Sequence, residues 1–73
     1  MRFQIYSYGP EPLAVVFEPM AAETVIRQGD YITVEWQGDE PGAIAHRPEY
    51  LEIGDPAGGL TNAWNSSGKD ILY

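Results

Sequence analysis

Hydrophobic and polar positions alternate most regularly in residues 31–37. Ile32, Val34 and Trp36 point to one side of an extended chain, and the residues between them point to the other side. Alternation with a period of two is typical of a strand that is buried on one face. This stretch therefore predicts a strand, and its apolar side predicts part of the core, with Trp36 inside it.

A tight-turn signal precedes this strand. Gly29-Asp30 fits a two-residue turn whose first position needs positive φ, a conformation that glycine adopts without strain. We therefore expect residues 24–37 to form a β-hairpin. With a two-residue turn, Val25 joins the apolar face, whereas a three-residue loop would shift the register and place Ile26 inside. We prefer the shorter loop.

The other apolar segments are short and are separated by turns that contain Gly or Pro. They are residues 3–8, 13–18, 43–46 and 50–53, and the pair 60–64 and 69–73 with a turn at residues 65–68. No segment has helical periodicity, and we expect no helix beyond a turn near residues 20–22. The pattern predicts an all-β fold, either a small antiparallel β-sandwich or a partly open β-barrel, of about six or seven short strands.

The length of 73 residues predicts a single all-β domain, residues 1–73. The chain has no cysteine, which excludes disulfides and thiolate metal sites and favours a reducing compartment. Its first residues lack the apolar run of a signal peptide, and no run approaches the ~20 residues that a membrane helix needs. We therefore expect a soluble, cytoplasmic protein with no membrane contact.

Eleven acidic residues against four basic ones set a formal net charge of −7. The basic residues are scattered along the chain, so they do not form the patch that binding of phosphate backbones needs. We predict no binding to nucleic acid. The acidic residues are dispersed too, which is typical of a solvated surface, and the alternative is that this charge attracts a basic protein partner.

The side chains that carry most enzyme chemistry are sparse in this sequence. His46 is the only histidine, and as a general base it would need an orienting carboxylate such as Glu49 or Glu52. The alternative, which we prefer, is a surface histidine at the end of a strand. The acidic residues of the Gly/Pro loops lack the spacing of a calcium loop. We therefore predict no catalytic residue, no metal site, no cofactor and no enzymatic activity.

Aromatic residues make up 12% of the chain and are the more informative group. Tyr50 and Trp64, with Asn62 and Asn65 close to Trp64 in sequence, are the candidate binding residues. Together they could form a platform of aromatic rings and amides for a sugar or a peptide. The alternative is that Trp64 closes the core. Tyrosine and tryptophan are also common anchors of protein interfaces.

Part of the chain resembles the cupredoxin-like pattern. The F-x-P motif that begins at Phe17 is followed by the Gly29-Asp30 turn, by the alternating apolar strand and then by His46. A blue-copper site needs two histidines and a cysteine, usually with an axial methionine. With one histidine and no cysteine, the resemblance implies a β-hairpin only and no copper.

The chain as a whole resembles short acidic proteins of uncharacterised function associated with actinomycete-type bacteria. The shared features are the P-L-x-V-x-x-E-P motif at residues 12–19 and a Gly-Asp turn. This resemblance implies no activity. We therefore favour a non-enzymatic protein-interaction module that binds another protein, in particular a basic one, or forms a homodimer. The alternative is a small-ligand or carbohydrate-binding domain that uses Tyr50 and Trp64.

Overall fold

The computed structural model describes residues 1–73 and consists of seven strands without a helix. The strands are β1 (Arg2–Tyr6), β2 (Leu13–Glu18), β3 (Ala22–Ile26), β4 (Tyr31–Trp36), β5 (Ala43–His46), β6 (Leu51–Gly54) and β7 (Thr61–Asn65). They form a three-stranded sheet in the order β1-β4-β7 and a four-stranded sheet in the order β3-β2-β6-β5. Two separate sheets make this a small β-sandwich, so the predicted all-β fold is confirmed. The structure contains no helix that could cross a lipid bilayer.

Neighbouring strands are antiparallel except for β2 and β6, which run parallel. Parallel neighbours cannot be joined by a tight turn and need a long crossover connection. Here the chain leaves β2, passes through β3, visits the three-stranded sheet in β4 and returns through β5 before it forms β6. The two sheets are therefore interleaved in sequence.

The core lies between the sheets and takes four side chains from each. Its members are Val15, Phe17, Ile26 and Ile53 from the four-stranded sheet, and Ile32, Val34, Trp36 and Ala63 from the three-stranded sheet. Inward and outward residues alternate along the strands, as expected for packed sheets. The ring of Phe3 packs on Trp36 with 4.7 Å between centroids and a tilt of 59°. The predicted burial of Trp36 is thus confirmed, at 4% exposure.

The predicted hairpin over residues 24–37 is wrong. β3 pairs with β2, whereas β4 pairs with β1 and β7 in the other sheet. Gly29 does have a positive φ of 81°, but its turn carries the chain from one sheet to the other. Ser7 holds this turn: its backbone N–H donates to the carbonyl of Asp30 at 3.1 Å, and its carbonyl accepts from the N–H of Gly29 at 2.6 Å.

The inward face of β3 also differs from the preferred register. Val25 is 56% exposed, whereas Ile26 is 2% exposed and belongs to the core. The physical reason is pairing with β2, in which Leu13 lies opposite Ile26. Directly opposed residues of antiparallel strands share a face, so the core-facing side of β2 determines which residues of β3 are buried.

The predicted C-terminal turn at residues 65–68 is present, but the pairing beyond it is brief. The N–H of Gly68 donates to the carbonyl of Asn65 at 2.9 Å and closes the turn. Beyond it, a single bridge joins Asp70 to Trp64. The following residues, Ile71 and Leu72, pack against the core. The last segment therefore folds back along β7 and covers part of its edge.

Candidate functional site

The outer face of the three-stranded sheet carries the outward-facing aromatic side chains of the strands. Outward positions alternate with the core positions of β1, β4 and β7. These outward residues are Arg2, Gln4, Tyr6, Tyr31, Thr33, Glu35, Asn62 and Trp64. Strand pairing places Tyr6 opposite Tyr31, and it places Thr33 between Gln4 and Trp64. The face therefore combines aromatic rings with polar side chains of both charges.

Three tyrosines form a continuous stack on this face. The ring of Tyr6 lies 5.0 Å from that of Tyr31 and 5.5 Å from that of Tyr8, with interplanar angles of 30° and 11°. The hydroxyl of Tyr6 donates to Oε1 of Gln4 at 3.0 Å. Tyr8, at the end of the stack, is 75% exposed. We call Tyr8, Tyr6 and Tyr31 the tyrosine stack.

An open cleft of about 440 Å³ lies on one side of the tyrosine stack. Tyr31 and Trp64 border this first cleft, together with Arg2, Thr33, Asn65 and Ser66. The guanidinium carbon of Arg2 lies 5.3 Å from the centroid of the Trp64 ring, and Nη2 of Arg2 lies 3.2 Å from Oε2 of Glu35. Arg2 is therefore engaged by a cation–π contact and an ion pair at once.

The turn at residues 65–68 forms one rim of the first cleft. Oδ1 of Asn65 accepts from the backbone N–H groups of Ser67 and Lys69, at 3.0 and 2.9 Å. Hydrogen bonding from Ser66, and then from the backbone N–H of Tyr31 at 2.8 Å, lowers the pKa of Asp30. Asp30 is thus ionised at neutral pH, and it adds negative charge next to this rim.

A second cleft, of about 340 Å³, adjoins the other two members of the tyrosine stack. Tyr6 and Tyr8 border it, and the connection at residues 9–12 completes it together with Leu13. Glu11 is the one charged residue of its lining. Both clefts adjoin the tyrosine stack, the first at Tyr31 and the second at Tyr6 and Tyr8.

The outer face of the four-stranded sheet has a different composition. Small apolar side chains such as Val16 and Val25 alternate with core positions, and glutamates including Glu23 and Glu52 lie beside them. Oε1 of Glu52 lies 3.2 Å from Nε of Arg47, and this hydrogen bond and ion pair raise the pKa of Arg47. No cleft opens on this face.

The structure brings together only part of the predicted binding residues. Trp64 and Asn65 line the first cleft, and Asn62 lies two residues before Trp64 on the same outer face. Tyr50 directly precedes β6 in the other sheet and does not line either cleft. Tyr50 and Trp64 therefore do not border a common cleft, and Tyr31 is the other aromatic residue that lines the first cleft. Trp64 does not belong to the core.

The sequence interpretation missed four residues of this face: Arg2, Tyr6, Tyr8 and Tyr31. Their alternation with core residues was a usable signal, because outward positions of β1 and β4 can be read from the period of two. The signal that was lacking is the pairing of β1 with β4, which places Tyr6 opposite Tyr31. No local pattern specifies which distant strands become neighbours.

The residues considered for acid–base catalysis or metal binding lie apart from this face. His46 ends β5 and is exposed, opposite Leu51. The carboxylate of Glu52, a predicted partner for His46, instead contacts Arg47. No three His, Asp or Glu side chains are grouped so that they could hold a metal ion.

Comparison with protein-family models, with curated proteins and with solved structures finds no match to this chain. The cupredoxin-like resemblance and the resemblance to short acidic proteins therefore stay predictions. In the fold, Phe17 lies in β2 and Gly29 in the turn between the sheets. The residues of the cupredoxin-like pattern thus do not form one hairpin.

Proposed function

We propose that this protein is a non-enzymatic interaction module that binds another protein through the outer face of its three-stranded sheet. The observation that carries the proposal is the tyrosine stack, with one cleft adjoining Tyr31 and another adjoining Tyr6 and Tyr8. Tyrosine, tryptophan and arginine dominate the binding energy of protein interfaces. This face presents all three residue types, in Tyr6, Tyr8, Tyr31, Trp64 and Arg2.

The arrangement favours a partner that covers both clefts over a compact ligand that fills one. Tyr8 is the most exposed aromatic ring of the stack, and it borders the second cleft but not the first. A ligand confined to the first cleft would leave Tyr8 in water. An interface that spans the stack would bury it, and burial of a large aromatic side chain contributes about 1.5–3 kcal/mol.

A partner is first captured with the parent protein and purified. The test then compares the affinity of two variants for this partner. The first is the double variant Tyr6→Ala/Tyr8→Ala, which removes two rings of the stack. The matched control is Val25→Ala, an exposed apolar residue on the outer face of the other sheet. We expect the double variant to lose about tenfold or more in affinity by isothermal titration calorimetry, because interface aromatics are common hot spots. The control should bind as the parent protein does.

Circular dichroism and thermal melting of both variants establish that each is folded. Unchanged partner binding by the folded double variant would exclude this face as the binding surface. Loss of binding on Val25→Ala alone would move the surface to the four-stranded sheet.

A second candidate function is saccharide binding in the first cleft. The observation that favours it is the position of Thr33 and Ser66 beside the rings of Tyr31 and Trp64. Aromatic rings pack against the apolar faces of sugars, while hydroxyl groups supply hydrogen bonds that orient a ligand. A glycan array compares Trp64→Ala, which removes one border of this cleft, with Tyr8→Ala, which leaves the cleft intact. A glycan whose binding is lost in the first variant and kept in the second would select the saccharide function.

A further inference from the structure

We infer that the partner presents an extended segment with a basic residue, and that this residue binds in the second cleft beside Glu11. The inference rests on the proposed function and adds the chemistry of the segment that the face recognises. Three features carry it: the position of the clefts, the charge of their linings and the net charge of the chain.

The position of the clefts implies an extended segment. Tyr31 borders the first cleft, and Tyr6 and Tyr8 border the second, so a ligand that fills both must cross the stack. The centroid separations along the stack are 5.5 and 5.0 Å. Together these separations span about three residues of extended chain. One short segment can therefore cross the stack and place a side chain in each cleft.

The lining of the second cleft favours a cation. Glu11 is exposed at this cleft, and no basic residue lines it. The rings of Tyr6 and Tyr8 border the same space, and aromatic faces attract ammonium and guanidinium groups. A carboxylate beside two aromatic rings suits an arginine or lysine side chain better than an acidic or a purely apolar one.

The first cleft favours an uncharged side chain of the same segment. Arg2 already lies over Trp64 and is paired with Glu35, so the indole ring of this cleft already has a cation in contact with it. A second basic residue placed there would be repelled by Arg2. The two clefts therefore differ in preference, which gives the segment a direction along the stack.

The net charge argues against a second copy of this chain as the occupant. Each copy carries −7, and the repulsion between like charges opposes self-association. The same charge increases the encounter rate with a basic segment. A basic partner is thus the occupant that both the local and the overall charge favour.

The test uses a displayed library of random linear peptides of ~12 residues, long enough to cover both clefts with flanking residues. The library is selected on the parent protein, on Glu11→Gln, on Glu11→Arg and on Glu23→Gln. Glu23 lies exposed on β3 in the other sheet, so Glu23→Gln removes the same unit of charge away from the clefts. This control separates a contact at Glu11 from the effect of net charge.

We expect the parent protein to enrich peptides that contain arginine or lysine, and Glu11→Arg to enrich acidic peptides instead. A peptide selected on the parent protein should bind Glu11→Gln about two- to fivefold more weakly, as expected for an exposed ion pair. It should bind Glu23→Gln with unchanged affinity. Its affinity should also fall as the salt concentration rises.

Enriched peptides without basic residues, or equal weakening by Glu11→Gln and Glu23→Gln, would overturn this inference and leave the proposed function standing. A library that yields no enriched peptide would overturn it as well, because the face would then not recognise an extended segment. Enriched peptides that bind the Tyr6→Ala/Tyr8→Ala variant as tightly as the parent protein would instead contradict the proposed function itself.

Discussion

Gly42 lies directly against the indole ring of Trp36. A Cβ atom at Gly42 would lie 2.7 Å from Cε2 and 2.8 Å from Nε1 of Trp36, and it would also collide with the carbonyl oxygen of Gly54. Backbone on one side and a buried ring on the other leave no room for a side chain. The loop between β4 and β5 can therefore close over the core only with glycine at this position.

We predict that Gly42→Ala destabilises the protein by about 1–3 kcal/mol, because overpacking forces the backbone or the indole ring to move. Urea unfolding followed by tryptophan fluorescence measures the change. Gly9→Ala is the matched control, since a Cβ atom there would meet nothing within 4 Å. Its stability should change by less than about 0.5 kcal/mol. Equal stability of the two variants would mean that the loop does not pack on Trp36.

The two tryptophans should differ sharply in their contribution to stability. Trp36→Ala removes a core side chain and should cost about 3–5 kcal/mol, which is comparable to the total stability of a domain of this size. Trp64→Ala removes a ring on the outer face that contacts Arg2, and it should cost about 1 kcal/mol. Circular dichroism and thermal melting distinguish the two cases. A Trp36→Ala variant that melts like the parent protein would contradict the core described here.

Asp30 should make stability depend on pH in the acid range. The pKa of Asp30 is lowered in the folded protein by hydrogen bonds from Ser66 and from the N–H of Tyr31. Its carboxylate therefore stabilises the fold at pH values above the usual aspartate pKa of about 3.9, and this contribution is lost as pH falls through the lower folded value. The parent protein should exceed Asp30→Asn in stability at neutral pH, and the difference should vanish in acid.

Urea titrations at a neutral and at a strongly acidic pH measure this difference. Asp39→Asn is the control, because Asp39 has the same charge and its carboxylate accepts no hydrogen bond in the structure. A pH-independent gap between the parent protein and Asp30→Asn would show that the hydrogen bonds to the carboxylate do not favour its ionised form.

Association with a basic partner should depend on ionic strength. The charge of −7 speeds the encounter with a positively charged protein, and salt screens that attraction. Stopped-flow measurements across a salt series should show a falling association rate and a much smaller change in the dissociation rate. An association rate independent of salt would mean that the acidic residues serve solubility only.

Nucleic acids should not bind. The four basic residues are outnumbered by eleven acidic ones, and phosphate backbones are repelled by the resulting field. Electrophoretic mobility shifts with duplex and single-stranded DNA and RNA at physiological salt should show no complex. A complex that dissociates at higher salt would reveal a local basic surface strong enough to overcome the net charge.

Local alternation was sufficient to predict the strands that contribute most to the core. The period of two in β4 identified Ile32, Val34 and Trp36, and all three are buried. Burial on one face leaves a direct trace in sequence, because each strand must place apolar residues on alternate positions. The turn at residues 65–68 was recognisable for a similar local reason, the preference of Asn, Ser and Gly for turns.

Which strands pair with one another could not be read from the local sequence in this way. The turn at Gly29 suits a hairpin and a crossing between sheets equally well, since both need positive φ at one position. Val25 and Ile26 are both apolar and β-branched, so composition did not decide which of them faces the core. The same reason applies to the candidate site. Tyr31 lies opposite Tyr6 only through the pairing of β1 with β4, and Tyr50 directly precedes a strand of the sheet that does not contain Trp64.

Every pairing in the three-stranded sheet joins strands that are distant in sequence. β1 pairs with β4, and β4 pairs on its other side with β7. In the four-stranded sheet, by contrast, the pairs β2–β3 and β5–β6 join consecutive strands. Contacts between distant segments form slowly, because a long loop must close before they provide stabilisation. During synthesis, the tyrosine stack can therefore form only after β4 has left the ribosome, and the first cleft can form only after β7 has followed. A nascent chain that has formed its two local hairpins still lacks the first cleft.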